Sequence, residues 1–217
     1  MAHDGTINIF VENLGRYNEG YIVGAWIPLP MQRDELWETI RRVCKVDALH
    51  EEVFIADVEY DFGMPNVRIG EYDSIDDVNA LAAAIENADS WDDVYHADCY
   101  AYEHNLSTIE TASVLRDVDN VAWCSYTTDY GSENSRLGHT LIDEDEDLLA
   151  RLREIGMDGY IDYEAYGRDV RGDYTLCSDG FICECSPDTS ADAEEILRDL
   201  DYWGDEDEDE DEDEEEE

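Results

Sequence analysis

Fifty-nine aspartates and glutamates face only 13 lysines and arginines in this 217-residue chain, a net charge of −46. Any fold it adopts must hold together against that repulsion. Residues 205–217 are an unbroken acidic run and account for 13 of the acids. The remainder still carries 46 acids against the same 13 bases, a net of −33, so the acidity belongs to the folding part as well. Hydrophobic residues make up 43% and aromatics 11%, enough to bury a core in one large domain or two to three small ones. Lys45 is the only lysine. A chain so poor in clustered bases is expected neither to bind nucleic acid directly nor to dock on anionic membranes.

Residues 6–12 alternate, with Ile7, Ile9 and Val11 on one side and Asn8, Phe10 and Glu12 on the other, which predicts a strand. A Gly-rich connection from Gly15 to Gly20 leads to an extended run, Tyr21 to Ile27, closed by Pro28 and Pro30. Leu36, Trp37, Ile40, Val43 and Cys44 recur at helical spacing, and Glu52 to Tyr60 is again β-rich. Residues 1–70 are therefore expected to form a small α+β unit of three strands and one helix. From residue 71 the period changes. Ser74-Ile-Asp-Asp77, Ser90-Trp-Asp-Asp93 and Ser107-Thr-Ile-Glu110 each place a capping serine three residues before an acid. Val78, Leu81, Ala82 and Ile85 then mark one apolar face, so residues 71–117 read as a helical unit with its acids outward.

Residues 118–203 are expected to form a second α+β unit. Val118, Val121 and Trp123 suggest a strand over 118–126. A helix from about Asp143 to Ile155 would begin in the acids Asp143, Glu144, Asp145, Glu146 and Asp147, carry Arg151 and Arg153 near its end, and stop at Gly156. Tyr174–Cys177 and Phe181–Cys185 flank Ser178-Asp179-Gly180 as a hairpin, and a last amphipathic helix, Ser190 to Tyr202, turns Ile196, Leu197 and Leu200 inward. Residues 204–217 are expected to be a disordered tail. The whole reads as an α+β fold of three small units.

Catalytic patterns are missing. The sequence has no H-E-x-x-H, G-x-x-x-x-G-K-[ST], G-x-S-x-G or G-x-G-x-x-G. Its five histidines (His3, His50, His96, His104, His139) are dispersed, and in a chain with 59 acids a pair of neighbouring carboxylates carries no information. Cys177, Cys183 and Cys185 follow C-x₅-C-x-C without a nearby histidine, a poor match to zinc knuckles. Free thiols in a reducing cytoplasm are the simpler reading for them and for Cys44, Cys99 and Cys124. No signal-peptide pattern and no run of about 20 apolar residues marks a secreted or membrane-spanning chain. No cofactor or metal is expected.

Two stretches go further. Asn13-Leu-Gly-Arg-Tyr-Asn-Glu-Gly20, followed by Val23-Gly-Ala-Trp26 and Leu29-Pro30, resembles the ArdA antirestriction family. So does Tyr160-Ile-Asp-Tyr-Glu-Ala-Tyr-Gly-Arg-Asp169, which is similar to the antirestriction motif near the end of its members. The resemblance spans roughly residues 6–185 and leaves the last helix and the acidic run as an extension. It implies a curved, elongated, non-catalytic DNA mimic, an anti-defence protein of mobile elements that fills the DNA groove of Type I restriction–modification enzymes. It also implies dimerisation through the last unit. The charges expected to stand in for phosphates are Asp76, Asp77, Asp92 and Asp93, the run Asp143 to Asp147, and Asp162, Glu164 and Asp169. Tyr160, Tyr163 and Tyr166, with Gly167, are candidates for a domain or dimer seam, against ordinary core packing; Gly15, Gly20 and Gly167 are expected in turns.

Three other readings fit the composition. An acidic chaperone would sequester basic DNA-binding proteins through the run at 205–217. An inhibitor of another defence complex would use the same charges on a different partner. An enzyme of a salt-adapted cytoplasm would be acidic and poor in lysine for solvation alone.

Overall fold

The computed structural model describes residues 6–60, 66–129, 131–183 and 186–204. The run 205–217, Cys185 and the expectations attached to them lie outside the described residues. Among the described residues the chain is a mixed α+β fold with nine helices and two three-stranded sheets.

The first sheet centres on β1 (Ile7–Asn13), which pairs antiparallel with β2 (Gly24–Leu29) and β3 (Val53–Tyr60). Its alternation is realised: Ile7, Ile9 and Val11 are fully buried and share a core with Leu36 and Ile40 of α2 (Arg33–Val43). The opposite side is covered too, since Asn8 and Glu12 are buried and Phe10 packs on Trp26 with ring centroids 5.3 Å apart. The second strand begins three residues later than expected and runs through Pro28. An edge strand tolerates this, because the missing N–H faces away from the ladder. Part of the Gly-rich connection is a short helix, α1 (Leu14–Asn18), capped by Asn13.

All three serine caps form. Ser74, Ser90 and Ser107 accept from the backbone N–H of Asp77, Asp93 and Glu110, opening α3 (Ile75–Glu86), α4 (Trp91–Glu103) and α5 (Thr108–Arg116). Glu110 answers back to the Ser107 N–H at 2.8 Å, completing a capping box. The expectation of a single apolar face on α3 is corrected: every residue from Val78 to Ile85 is buried. The cause is tertiary, since α5, β2 and the last helix, α9 (Ala193–Asp199), all pack against it. Asn79, fully buried on this helix, pairs with both polar groups of the Met31 backbone, at 2.9 and 2.8 Å. Nor are all acids of this region outward: Asp98 is buried and bonded by Asn66.

The second sheet has the order β4 (Trp123–Ser125), β6 (Gly180–Cys183), β5 (Tyr174–Leu176), and the hairpin around Ser178-Asp179-Gly180 is as expected. The long strand expected over 118–126 is not. Val118–Asn120 form a 3₁₀ turn, and only Trp123–Ser125 pair. The helix expected from Asp143 starts at Glu146, because Asp143 and Glu144 finish a preceding helix, α6 (Glu133–Glu144). Asp145 caps the later one, α7 (Glu146–Glu154), which ends before Gly156 at φ +68°. The second motif becomes a 3₁₀ turn, Asp158–Tyr160, and α8 (Tyr163–Val170). Cys177 and Cys183 do not converge; Cys183 instead lies 4.0 Å from Cys124, sulfur to sulfur.

Gly167 is not a turn residue. It lies inside α8 against Gly138 of α6, and the two helices touch backbone to backbone. A Cβ at Gly167 would come 1.8 Å from the Asn134 carbonyl oxygen, and one at Gly138 would come 2.1 Å from that of Tyr163. Neither obstacle is a flexible side-chain end, so the helices must separate to admit it. Gly167→Ala is expected to destabilise the fold by ~1–3 kcal/mol or more, the usual range for overpacking. Gly159→Ala, where nothing lies within 4 Å, should be nearly neutral. Urea midpoints of the two variants measure this; equal midpoints would mean that the crossing is looser than the backbone distances indicate.

Candidate functional site

The acids singled out in the sequence fall into three groups. In the first, the S-x-D-D repeats place Asp76 and Asp77 in the first turn of α3, and Asp92 and Asp93 in the first turn of α4. There they favour the positive helix end. Asp92 is exposed and has no cationic partner among the described residues. Asp93 is half-buried and accepts from the Ser90 hydroxyl at 2.8 Å. Asp76 is committed inward: it takes the Trp37 indole N–H at 2.8 Å and the Arg33 guanidinium at 3.2 Å, tying α2 to α3. Burial pushes the Asp77 carboxyl up, opposed by its Ser74 hydrogen bond.

The second group, Asp143 to Asp147, is exposed throughout and occupies the junction of α6 and α7. Asp145 accepts from the Leu148 N–H at 2.9 Å, while Glu146 and Asp147 lie in the first turn of α7. The third group rides on α8. Asp162 caps it through the Ala165 N–H, and Asp169 lies 3.5 Å from Arg168 in an exposed pair. Glu164 is bonded by the Ser132 hydroxyl and by Asn134, which hold its carboxyl below the usual range and keep it charged. Since α7 and α8 both pack on α6, the fold gathers the second and third groups around one helix. Nine of the twelve acids are exposed. Apart from Asp169, and Asp143 with His139 at 3.9 Å, none of the nine has a base within ion-pair reach among the described residues. Asp34, Glu35 and Glu38, all exposed on α2, extend the acidic surface beyond the twelve acids singled out by sequence. Their signal was their place beside the apolar Leu36 and Ile40.

The tyrosines of the second motif divide. Tyr163 stacks on His139 of α6, centroids 3.6 Å apart and nearly parallel, inside the α6–α8 contact. Tyr160 is 80% exposed and Tyr166 is 39% exposed, so core packing does not account for them. Ile155 and Met157, also exposed, precede Tyr160 in the chain.

The first motif builds a polar knot. Asn13 donates to the His50 carbonyl at 3.0 Å while capping α1. Gly15 leaves room for the His50 ring, 2.7 Å from where its Cβ would be, and Gly20 turns the chain at φ +88°. The ring bonds Asp47 through Nδ1 at 2.9 Å and Glu19 through Nε2 at 3.2 Å, and Arg16 reaches Asp47 at 2.8 Å. The Leu49 N–H, then His50 and Arg16, pull the Asp47 carboxyl down to about 2. The two carboxylates raise the pKa of His50. Its bonds join α1 to the 47–50 turn. Among the described residues no cluster of three or more His, Cys, Asp or Glu is arranged to hold a metal ion, and no helix is long and apolar enough to cross a membrane.

A raised histidine pKa stabilises the fold below the unfolded value and loses that effect as pH rises through the folded one. The depressed Asp47 contributes above its ordinary value and fades as pH falls towards 2. The stability gap between wild type and His50→Gln should therefore be widest at mildly acidic pH and shrink on the alkaline side. A gap that widens as pH rises would show that His50 acts neutral. NMR titration of the ring locates the midpoint, which Asp47→Asn should lower.

No curated protein matches the chain. The sequence profile of the antirestriction protein ArdA matches residues 9–183, which include both motifs and all twelve acids and run from within β1 to the end of β6. The chain belongs to the ArdA family of antirestriction proteins.

Proposed function

We propose that this protein is an acidic mimic of duplex DNA that enters the DNA-binding groove of a Type I restriction–modification enzyme and blocks restriction, modification or both. It acts in the cytoplasm by occupancy, without turning over a substrate. The observation that carries this reading is the exposed acidic surface within an antirestriction family: the groups at Asp92, at Asp143–Asp147 and on α8 face solvent almost without counter-charges. Carboxylates offer acceptor oxygens to arginine and lysine much as phosphates do. A net of −33 outside the acidic run equals the charge of roughly 16 base pairs, at one charge per ~1.7 Å of duplex. A decoy with no bases to read inhibits whatever the enzyme's recognition sequence.

The exposed Tyr160 and Tyr166, with Ile155 and Met157, support a homodimer seam at the end of α7 and the start of α8. Two copies would double the length of duplex imitated.

Competition between this protein and the cognate DNA site for a Type I methyltransferase core tests the mechanism. Binding should weaken steeply with salt, because contacts of this kind are screened over ~8–10 Å near physiological ionic strength. Asp92→Lys alone should be nearly silent, as one exposed pair is worth about 0.2–1 kcal/mol. Reversing Asp143, Glu144, Glu146 and Asp147 together, with the cap Asp145 spared, should cost about 1–4 kcal/mol, or at least several-fold in affinity. An affinity indifferent to salt and to the block would rule the mimic out. For the dimer, Tyr160→Ala with Tyr166→Ala leaves the Tyr163–His139 stack intact, and sedimentation should show self-association weakened by about 2 kcal/mol or more. A wild type that sediments as a monomer at every concentration would remove the seam.

A further inference from the structure

Two acids among the described residues are buried, Glu12 and Asp98, which are 6% and 1% exposed. Asp98 is bonded by Asn66 at 2.9 Å. Glu12 differs: its carboxylate has no hydrogen-bond or ion-pair partner among the described residues. Its place in the sheet explains the burial. Glu12 lies on the central strand β1, opposite Gly24 of β2 and Phe54 of β3. Its stem takes up room that a side chain at position 24 would need, since a Cβ there would come 2.9 Å from Glu12 Cγ. On the other side, buried Phe54 is met edge-on by Tyr17 of α1, with ring centroids 5.5 Å apart.

A charge held out of water without a partner costs stability, and a cation brought to it offsets that cost. The structure leaves a way in. Glu12, Tyr17 and Phe54 line one cavity of about 680 Å³ beside the edge strand β3, and exposed Asp57 and Glu71 line it as well. The outer carboxylates draw a cation towards the cavity, the aromatic rings attract it within, and Glu12 receives it. A metal ion asks for several ligand atoms around one point, and no group of acids among the described residues is so placed. A guanidinium suits the walls better than an ammonium, because it is planar, more weakly hydrated and stacks on aromatic faces.

We propose that this cavity receives one arginine side chain of a partner protein, whose guanidinium pairs with Glu12 against Tyr17 and Phe54. A residue within a polypeptide fits better than free arginine, whose own carboxylate would meet Asp57 and Glu71 with like charge. Arg68 of the same chain also lines the cavity, but it is exposed and has no ion-pair partner among the described residues. The inference rests on the cavity and not on DNA mimicry; its failure leaves the salt and charge-reversal tests of mimicry untouched.

Titration of the ¹⁵N-labelled full-length protein with acetyl-arginine amide, whose ends are uncharged, tests the proposal. Saturable shifts are expected at the amides of Glu12, Tyr17 and Phe54, and they should persist in salt that removes diffuse contacts with exposed acids. Acetyl-citrulline amide, of similar shape without the charge, should leave these amides unmoved, and free arginine should bind more weakly. Glu12→Gln should weaken binding by about tenfold or more, whereas Glu154→Gln on α7, outside the cavity, should not. The urea midpoint of Glu12→Gln should equal or exceed that of wild type, because an unpartnered charge has left the interior. A clear fall in that midpoint would show a carboxylate held by the fold itself and would refute the proposal. Shifts unchanged in Glu12→Gln, or absent from both wild type and Arg68→Gln, would also overturn it. Shifts that arise in Arg68→Gln alone would assign the cavity to the chain's own arginine instead, and tighter binding of free arginine would assign it to a small molecule.

Discussion

Electrostatic self-repulsion is the condition under which everything else in this molecule is arranged. The body carries −33 before the acidic run is counted, and such a charge works against compactness. Attraction between surface ions cannot offset it, since an exposed pair contributes about 0.2–1 kcal/mol. Burial can, because each large apolar side chain taken from water contributes ~1.5–3 kcal/mol, and the core runs continuously from Ile7 in β1 to Leu197 in α9. Several of the scarce bases are placed at joints. Arg33 fastens α2 to α3 through Asp76, Arg116 fastens α5 to α9, and Arg136 reaches from α6 to the Ser178 carbonyl in the hairpin. Arg171, just after α8, bonds Asn134 of α6. Cations spent inside in this way are unavailable to neutralise the outside.

The acids are not merely tolerated. Each helix from α3 to α9 has an acidic residue in its first turn, and Asp145, Asp162 and Asp192 are themselves N-caps. Negative charge at a helix N-terminus is worth about 0.3–1 kcal/mol, and a cap contributes about 0.5–2 kcal/mol. Carboxylates placed there stabilise the fold while most of their charge stays in water. Glu164 does both at once, gripped by Ser132 and Asn134 and still exposed. The exposed acidic surface and the stability of the folded body thus draw on the same residues.

Local signals were legible in the sequence and remote ones were not. The alternation of Ile7, Ile9 and Val11 and the serines before α3, α4 and α5 act within a few residues, and all produced the expected structure. By contrast α6 is not legible in the sequence, because Gly138 weakens its local helical character for the sake of Gly167 on another helix. The full burial of α3 depends on α9, more than a hundred residues away, so its sequence displays an amphipathic pattern that the fold does not need. The candidate site divides in the same manner. Asp76 and Asp92 hold the same place in the same S-x-D-D repeat, yet Asp92 is free at the surface while Asp76 is claimed by Arg33 and Trp37. No reading of the repeat alone separates them, because the difference lies on α2.

This division bears on why the second motif has the composition it has. A strip selected only for charge would not need Gly167 or three tyrosines among its ten residues. Gly167 and Tyr163 fix α8 against α6, by backbone contact and by the stack on His139. Glu164 is then fixed by Ser132 and Asn134 on the same side. An acidic side chain on a mobile helix presents its charge as an average over many positions, whereas one on a helix locked at backbone distance presents it at one place. If the protein acts as the proposed mimic, a groove lined with arginines and lysines at fixed positions rewards the second arrangement, since ordering cost is then largely met before binding. The apolar and small residues of the motif are therefore as much a part of the acidic surface as the carboxylates they position.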